Sequence, residues 1–475
     1  MKLRKSAAGS VIAAAGLLLL AAGASQAVIG AAADRITIHA GRELGPVSPR
    51  LFGQTYGTQM NITPPFVAMY GQLGIGLLAA PGGAEGDEFD LSPKQIDDLA
   101  ALARTLNAPV SLQARLFRGG TPEKAAGLVR YANVERGYGF RTWEIGNEPD
   151  RYLGRPGQPG DPTFDVDWYN VQFRDFALAM KAMDPSIQIA GPAVRDGWIT
   201  WLPAFIATNG DLVDVLSWHW VPPGHELTDA QLLATPAQIE RQVAVIREWW
   251  RTPRANPKGH KRPIPPLFLS EYAASPDATS QRPLATQAGA LWTAEVVGRL
   301  ANVGVEIASY TALQGAGWHG LVDDRQTPRP TFGIFRLYSQ WGQTQLAVES
   351  PDEAQLPAFA SRRSDGALAV LALNKDPQQP RPIELAFTGF RAAGRAEVWR
   401  QDAAHPAGEQ LAPVVVQDTI SATLPPYSAT LFIIPAAKPV VWPLWLGLLL
   451  GVAIAFGLLV ELEERRAHRK LVDGK

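Results

Sequence analysis

The chain predicts an eight-stranded parallel (β/α) barrel followed by a β-rich domain, and three observations carry that prediction. Short apolar runs alternate with helical stretches through the first two thirds of the sequence. Eight such runs can be counted, the number needed to close the barrel. After Gln340 the texture changes to short strand-like runs divided by Gly, Pro and Asp.

The eight runs are Leu51 to Tyr56, Ile75 to Pro81, Pro109 to Leu116, Thr142 to Pro149, Gln188 to Val194, Val215 to Val221, Pro266 to Tyr272 and Ile307 to Leu313. Between them, Ser92-Pro93 supplies a cap and a first-turn proline, and Ile96, Leu99, Leu102, Ala103 and Leu106 recur at helical spacing. Thr121-Pro122-Glu123 opens a second helix. Asp167-Trp168-Tyr169 leads into a third that stops before Asp184-Pro185. The barrel is placed at residues 51–339 and a β-sandwich at 340–436. The strand-like run Arg35-Ile36-Thr37-Ile38-His39-Ala40, within 34–50, is expected to join that sandwich.

Both ends carry membrane signals. Lys2, Arg4 and Lys5 precede an uncharged run to Ala33, the layout of a secretory signal or an N-terminal anchor over 1–33. Val440 to Val460 is uncharged and as a helix would extend about 31 Å, a bilayer core. Trp442 and Trp445 suit an interfacial belt. Arg465, Arg466, Arg469 and Lys470 then place 461–475 in the cytoplasm and the bulk of the chain outside, at the periplasmic or extracellular face.

The formal net charge of -1 gives no global field for nucleic acid, and the absence of cysteine excludes disulfides, a thiol nucleophile and thiolate metal sites. The seven histidines show no paired ligand spacing such as His-x-x-x-His, so neither a metal nor another cofactor is expected. Chemistry is sought instead in two carboxylates. Glu148 follows Asn147 at the end of the fourth run, and Glu271 closes the seventh. In a (β/α) barrel catalytic groups stand at C-terminal strand ends. Two acids so placed suit glycosidic cleavage, one protonating the leaving oxygen and the other attacking the anomeric carbon.

The motifs Val47-Ser48-Pro49-Arg50-Leu51-Phe52-Gly53, Pro81-Gly82-Gly83, Thr121 to Ala126, Trp143 to Pro149, Leu216-Ser217-Trp218-His219-Trp220 and Leu269-Ser270-Glu271 occur in order. Together they resemble clan A of the glycoside hydrolases, in the branch containing families 51, 79 and 39, over nearly all of residues 45 to 435. The resemblance implies a retaining mechanism with Glu148 as acid/base, Glu271 as nucleophile and Asn147 on the sugar 2-hydroxyl. An ionised Glu271 about 5 to 5.5 Å away is then expected to raise the pKa of Glu148 and keep it protonated.

His219 at the end of the sixth run resembles a clan histidine that supports the nucleophile or binds sugar. Trp220 and Trp318 are candidate sugar platforms, and Tyr56 and Tyr272 candidate hydrogen-bonding groups. Glu144 shares the inward parity of Glu148 and reads as structural. Two positions depart from the family: Ala79 replaces an Arg before Pro-Gly-Gly, with Arg115 the candidate to supply the lost charge, and Val221 replaces an aromatic hydroxyl. Arg115, Arg118, Arg151, Arg155 and Arg195 all follow strand ends, where they either bind an acidic polysaccharide or are solvated loop charge. The chain therefore reads as a membrane-anchored glycosidase acting on poly- or oligosaccharide. A non-catalytic glycan-binding or assembly protein on the same scaffold is the alternative.

Overall fold

The computed structural model describes residues 33–60, 62–154, 163–314, 317–323, 325–437 and 444–472. After β1 (Asp34–Pro46) come β2 (Gly53–Thr55), β3 (Leu78–Ala80), β4 (Val110–Ala114), β5 (Thr142–Ile145), β6 (Gln188–Val194), β7 (Val215–Trp220), β8 (Leu267–Tyr272) and β9 (Ile307–Tyr310). β2 to β9 close in chain order into a parallel barrel. All eight strands fall within the eight apolar runs. Leu77, Ala190, Val215, Phe268 and Ile307 form a separate apolar cluster drawn from the beginnings of strands. Farther along the strands Ser111, Gln113, Glu144, Ser217 and Ser270 are buried, so the barrel becomes polar toward its C-terminal mouth.

Local signals set the helices between strands. Ser92 and Gln95 form a reciprocal capping box on the helix Pro93–Leu106. Thr121 accepts from the Lys124 N–H at the start of Pro122–Val129, and Asp165 accepts from that of Trp168 at the start of Val166–Met183. The helix Gln287–Asn302 is buried almost throughout because it lies between the barrel and the second sheet. Gly298 permits that approach: a Cβ there would sit 2.5 Å from the Phe359 ring.

The second sheet adds β10 (Thr344–Glu349), β11 (Ala358–Arg362), β12 (Leu368–Asn374), β13 (Arg381–Thr388), β14 (Arg395–Gln401), β15 (Glu409–Val415), β16 (Thr419–Leu424) and β17 (Ser428–Ile434). Hydrogen bonds join these strands and β1 into one sheet of nine, ordered β15-β14-β17-β12-β11-β10-β1-β13-β16. β1 runs antiparallel to β10 and parallel to β13. Period-two alternation gives the central strands two buried faces. Ala369, Leu371 and Leu373 of β12 join the barrel-side core, while Leu368, Val370 and Ala372 pack with Ile36, Ile38, Ile383, Leu385 and Ile420. The expected sandwich is thus one continuous sheet curled around its own core.

Residues 1–32, which hold the expected signal, and Val440 to Pro443 of the expected span lie outside the described residues. From Leu444 a single helix runs to Val472, carrying Glu461, Glu463, Glu464 and Arg465 on the same rod as the apolar segment. Val452, Ile454, Phe456, Leu458, Leu459 and Val460 on it are exposed. Among the described residues no helix is long and apolar enough to cross a membrane.

Candidate active site

Glu148 stands three residues past the end of β5, in a turn where Gly146 has φ 75° and Glu148 itself φ 48°. A non-glycine residue in the left-handed region costs on the order of 1–3 kcal/mol and persists where its surroundings impose it. Here the Glu148 N–H donates to the Ala193 carbonyl of β6 at 3.0 Å, fixing the turn over the barrel mouth.

Glu271 reaches the same mouth by a different device. In the β7–β8 register Trp218 lies opposite Leu269, but His219 lies opposite Glu271, so Ser270 is an extra residue, a bulge. Strict alternation from the inward Phe268 would turn Glu271 out of the barrel. The bulge turns it inward beside His219 and sends Tyr272 outward, where its ring packs on Trp292 at 6.3 Å beside Trp220, which faces outward by plain alternation and packs on the same ring at 5.2 Å.

One carboxylate oxygen of Glu148, one of Glu271 and a ring nitrogen of His219 consequently lie within 4.8 Å of one another. His219 Nδ1 is 3.2 Å from Glu148 Oε1. Two guanidiniums also reach Glu148: Arg195 at 3.3 Å from Oε1 and Arg151 at 3.2 Å from Oε2. Asp150 sets up the first of these by accepting the backbone N–H groups of Arg195 (3.3 Å) and Gly197 (2.7 Å). Beneath the pair a small cavity of ≈ 20 Å³ is walled by Ala79, Gly82, Gly83, Gln113, Glu144, Asn147, His219, Ser270 and Glu271.

The electrostatics follow from these contacts. Burial pushes the Glu148 carboxyl up, but the hydrogen bond and charge of His219, with Arg195 and Arg151, outweigh it and hold the group below the ordinary carboxylate range. Burial pushes Glu271 up, opposed by His219 and reinforced by the charge of Glu148. Burial alone would lower His219, yet its bond to Glu148 and the charges of Glu271, Glu148 and Glu144 bring it up to about 9. Burial likewise raises Glu144, against the His219 charge. The expected raising of Glu148 by Glu271 is therefore not what the contacts favour: Glu148 is held low and Glu271 is raised, with His219, Arg195 and Arg151 all lying against Glu148. Glu148, His219 and Glu271 have the donor types and spacing of a metal cluster. With two guanidiniums on Glu148 and a cationic His219, however, the positive charge such a cluster needs is already supplied by the protein.

The structure brings together Glu148, Glu271, Asn147, His219 and Glu144, and it gives the other expected residues different partners. Tyr272 is buried in the layer between barrel and helices against Tyr310 and Trp292. Trp220 has one face on Trp292, and Trp318 carries the Arg329 guanidinium 4.9 Å from its ring centre. Tyr56 is buried in the core, its backbone tied to Ala79 and Gly82. Arg115 does not replace the missing strand-two arginine. Its Nε donates to the carbonyls of Asp87 (3.0 Å) and Phe117 (3.1 Å), and it also meets Asp90 and the Arg118 carbonyl. The charge at the site comes instead from Arg195 and Arg151, whose strand-end position was the available signal. Arg155 lies outside the described residues.

Two comparisons, with curated proteins and with solved structures, find relatives of this chain. Bovine heparanase is 21% identical over 252 residues, 49% of this chain and 44% of that protein. The β-xylosidase of Geobacillus stearothermophilus is 26% identical over 265 residues, 51% of this chain and 49% of its own length. The chain thus spans about half the length of the curated relatives it matches. Among solved structures, the α-L-arabinofuranosidase of Thermotoga maritima in its arabinose complex superposes with a TM-score of 0.68 at 17% identity, covering 84% of this chain and 99% of that one, a likeness of fold. No family model matches. The chain resembles the clan A glycoside hydrolases of families 79, 39 and 51.

Proposed function

We propose that this chain is a retaining glycoside hydrolase acting on a poly- or oligosaccharide, with Glu148 as acid/base and Glu271 as nucleophile. The observation that carries the reading is the approach of their carboxylate oxygens to within 4.8 Å. Retaining enzymes hold the two carboxyls about 5–5.5 Å apart, whereas inverting ones leave about 6.5–9.5 Å for a water. In the first step Glu271 attacks the anomeric carbon as Glu148 gives its proton to the departing oxygen. In the second, Glu148 takes a proton from water, which attacks the same carbon and releases Glu271. In this reading Asn147, on the cavity wall, bonds the sugar.

The first step needs the proton on Glu148, whereas the contacts of the site lower the Glu148 pKa and raise that of Glu271. A substrate whose leaving oxygen lodges against Glu148 and displaces Arg151 or Arg195 removes a cation that keeps Glu148 ionised. Substrate binding thereby raises the Glu148 pKa toward the protonated form that catalysis requires.

We also propose that the enzyme works outside the cytoplasmic membrane, held by its C-terminal segment. This rests on the sequence: the uncharged run 440–460, the basic cluster after it and the signal-like run before Ala33. A second reading, a glycan-binding protein without turnover, draws on the lowered Glu148 and raised Glu271 and on Ala79.

Hydrolysis of neutral and uronic aryl glycosides by the full chain tests both readings. Glu148→Gln is expected to slow turnover about 10²–10⁴-fold, the usual contribution of a general acid, and Glu271→Gln to abolish it. Tight oligosaccharide binding with no cleavage by the wild type would establish the second reading.

A further inference from the structure

The opposite pole of the barrel carries a feature that the catalytic reading does not use. A cleft of ≈ 800 Å³ opens where β4, β5 and β6 begin, between the end of the helix Pro93–Leu106 and the loop Arg136 to Arg141. Ligand sites commonly measure about 300–1,000 Å³. The wall includes four guanidiniums, those of Arg50, Arg104, Arg136 and Arg141, and no carboxylate. Arg136 is paired with Asp97 at 2.9 Å. Arg50, Arg104 and Arg141 form no ion pair among the described residues, and Arg50 is half-buried.

The cations are positioned rather than loose. Arg104 and Arg136 lie 5.8 and 5.7 Å from the centre of the Tyr138 ring, which stacks on Phe140 at 5.6 Å. The negative end of the helix Pro93–Leu106, which also faces this pole, is blunted: the Ala103 and Arg104 carbonyls accept the N–H groups of Ala108 and Asn107. Glu306 and Asp184 act on Arg50 and Arg141 from beyond ion-pair distance; within the cleft the guanidiniums still face one another, and an anion between them turns that repulsion into attraction.

We propose that this cleft is a second, non-catalytic binding site for an acidic saccharide, a uronate- or sulfate-bearing segment of the polymer cleaved at the other pole. Guanidinium forks pair with carboxylate and sulfate oxygens bidentately, and the concave wall suits a chain of sugar rings better than a flat anionic surface. The identification of the anion as a saccharide rests on the glycosidase reading. The anion site itself rests on the arginines.

Binding of polygalacturonate, dextran sulfate and neutral dextran to the full chain at low ionic strength tests the assignment, with the exposed pair exchanged in Arg104→Gln/Arg141→Gln. All measurements are repeated in Glu271→Gln, so the outcome does not depend on turnover. The double variant is expected to bind the acidic polymers at least about tenfold more weakly, as the loss of two charge-assisted contacts implies, with turnover of small aryl glycosides unchanged. Unchanged affinity would overturn the proposal and move the binding to the catalytic mouth. Equal binding of neutral dextran would overturn it too, as would capture by phosphatidylglycerol vesicles without binding of either acidic polymer. If aryl glycosides are not cleaved but the double variant still loses the acidic polymers, the catalytic reading fails and this site stands.

Discussion

Replacing His219 by Gln is expected to remove a pH-dependent part of the chain's stability, and the size follows from the site. The imidazole is buried, which alone disfavours its cation, but the hydrogen bond to Glu148 and the charges of Glu271, Glu148 and Glu144 carry its pKa to about 9. Against an ordinary value of about 6.5 that shift, at about 1.4 kcal/mol per unit, amounts to about 3 kcal/mol. The group binds its proton more tightly folded than unfolded. Its contribution is therefore complete below pH 6.5 and disappears as pH rises through 9. Urea denaturation followed by tryptophan fluorescence from pH 6 to 10 should show the wild type losing about 3 kcal/mol more than His219→Gln across that interval. Tyrosines and lysines titrate in both proteins and cancel in the difference. Parallel curves would refute the argument, because they would mean that His219 is neutral in the folded chain and that Glu148 is not held ionised by it.

Three further outcomes follow from the same geometry. Arg195→Gln removes a cation 3.3 Å from Glu148, so the Glu148 pKa should rise and the alkaline limb of the kcat/KM profile, which reports the protonated acid, should move to higher pH; an unmoved limb would detach Arg195 from the acid. Gly82→Ala places a Cβ 1.7 Å from Thr55 Cγ2 in the cavity wall, and the overpacking should cost about 1–3 kcal/mol in thermal denaturation, with an unchanged Tm counting against the packing there. Lys375→Met breaks an ion pair with Glu295 at 2.7 Å that joins the second sheet to the barrel helix Gln287–Asn302, both partners almost wholly buried; a loss of about 3–5 kcal/mol is expected, and a loss under about 1 kcal/mol would show that Arg299 alone satisfies Glu295.

The barrel was legible because each of its strands is a short apolar run and the helices between several of them announce themselves with caps. Both acids were legible for the same reason, since position at a strand end is a property of sequence order. The residues around them were harder, and the bulge at Ser270 shows why. Alternation is readable only while the count is unbroken, and nothing in Leu-Ser-Glu-Tyr marks the extra residue. One inserted position turns Glu271 into the site and takes Tyr272 out of it. Trp220 needed no bulge to be excluded, because it follows the inward His219 and must face outward; parity applied to that strand would have placed it against a helix. Arg195 depends on a tertiary event, the capture of its backbone by Asp150 from the loop after another strand. The curl of the nine-stranded sheet depends on which distant strands pair.

These same details set the opposite pKa directions of the two acids. A retaining mechanism read from two glutamates assumes that the nucleophile is charged and the acid neutral, and distance alone cannot distinguish which is which. Here the asymmetry is built from outside the pair. His219 bonds Glu148, Asp150 steers Arg195 onto the same carboxyl, and Arg151 reaches its other oxygen. No arginine salt bridge of this kind is made to Glu271 among the described residues. If Arg195 served only to hold substrate or acid in place, its loss would lower activity without moving the pH limb. Because it lowers the Glu148 pKa, its loss should instead favour the protonated acid. The variant's sensitivity to alkaline pH, rather than its rate at neutral pH, is the quantity that separates these accounts.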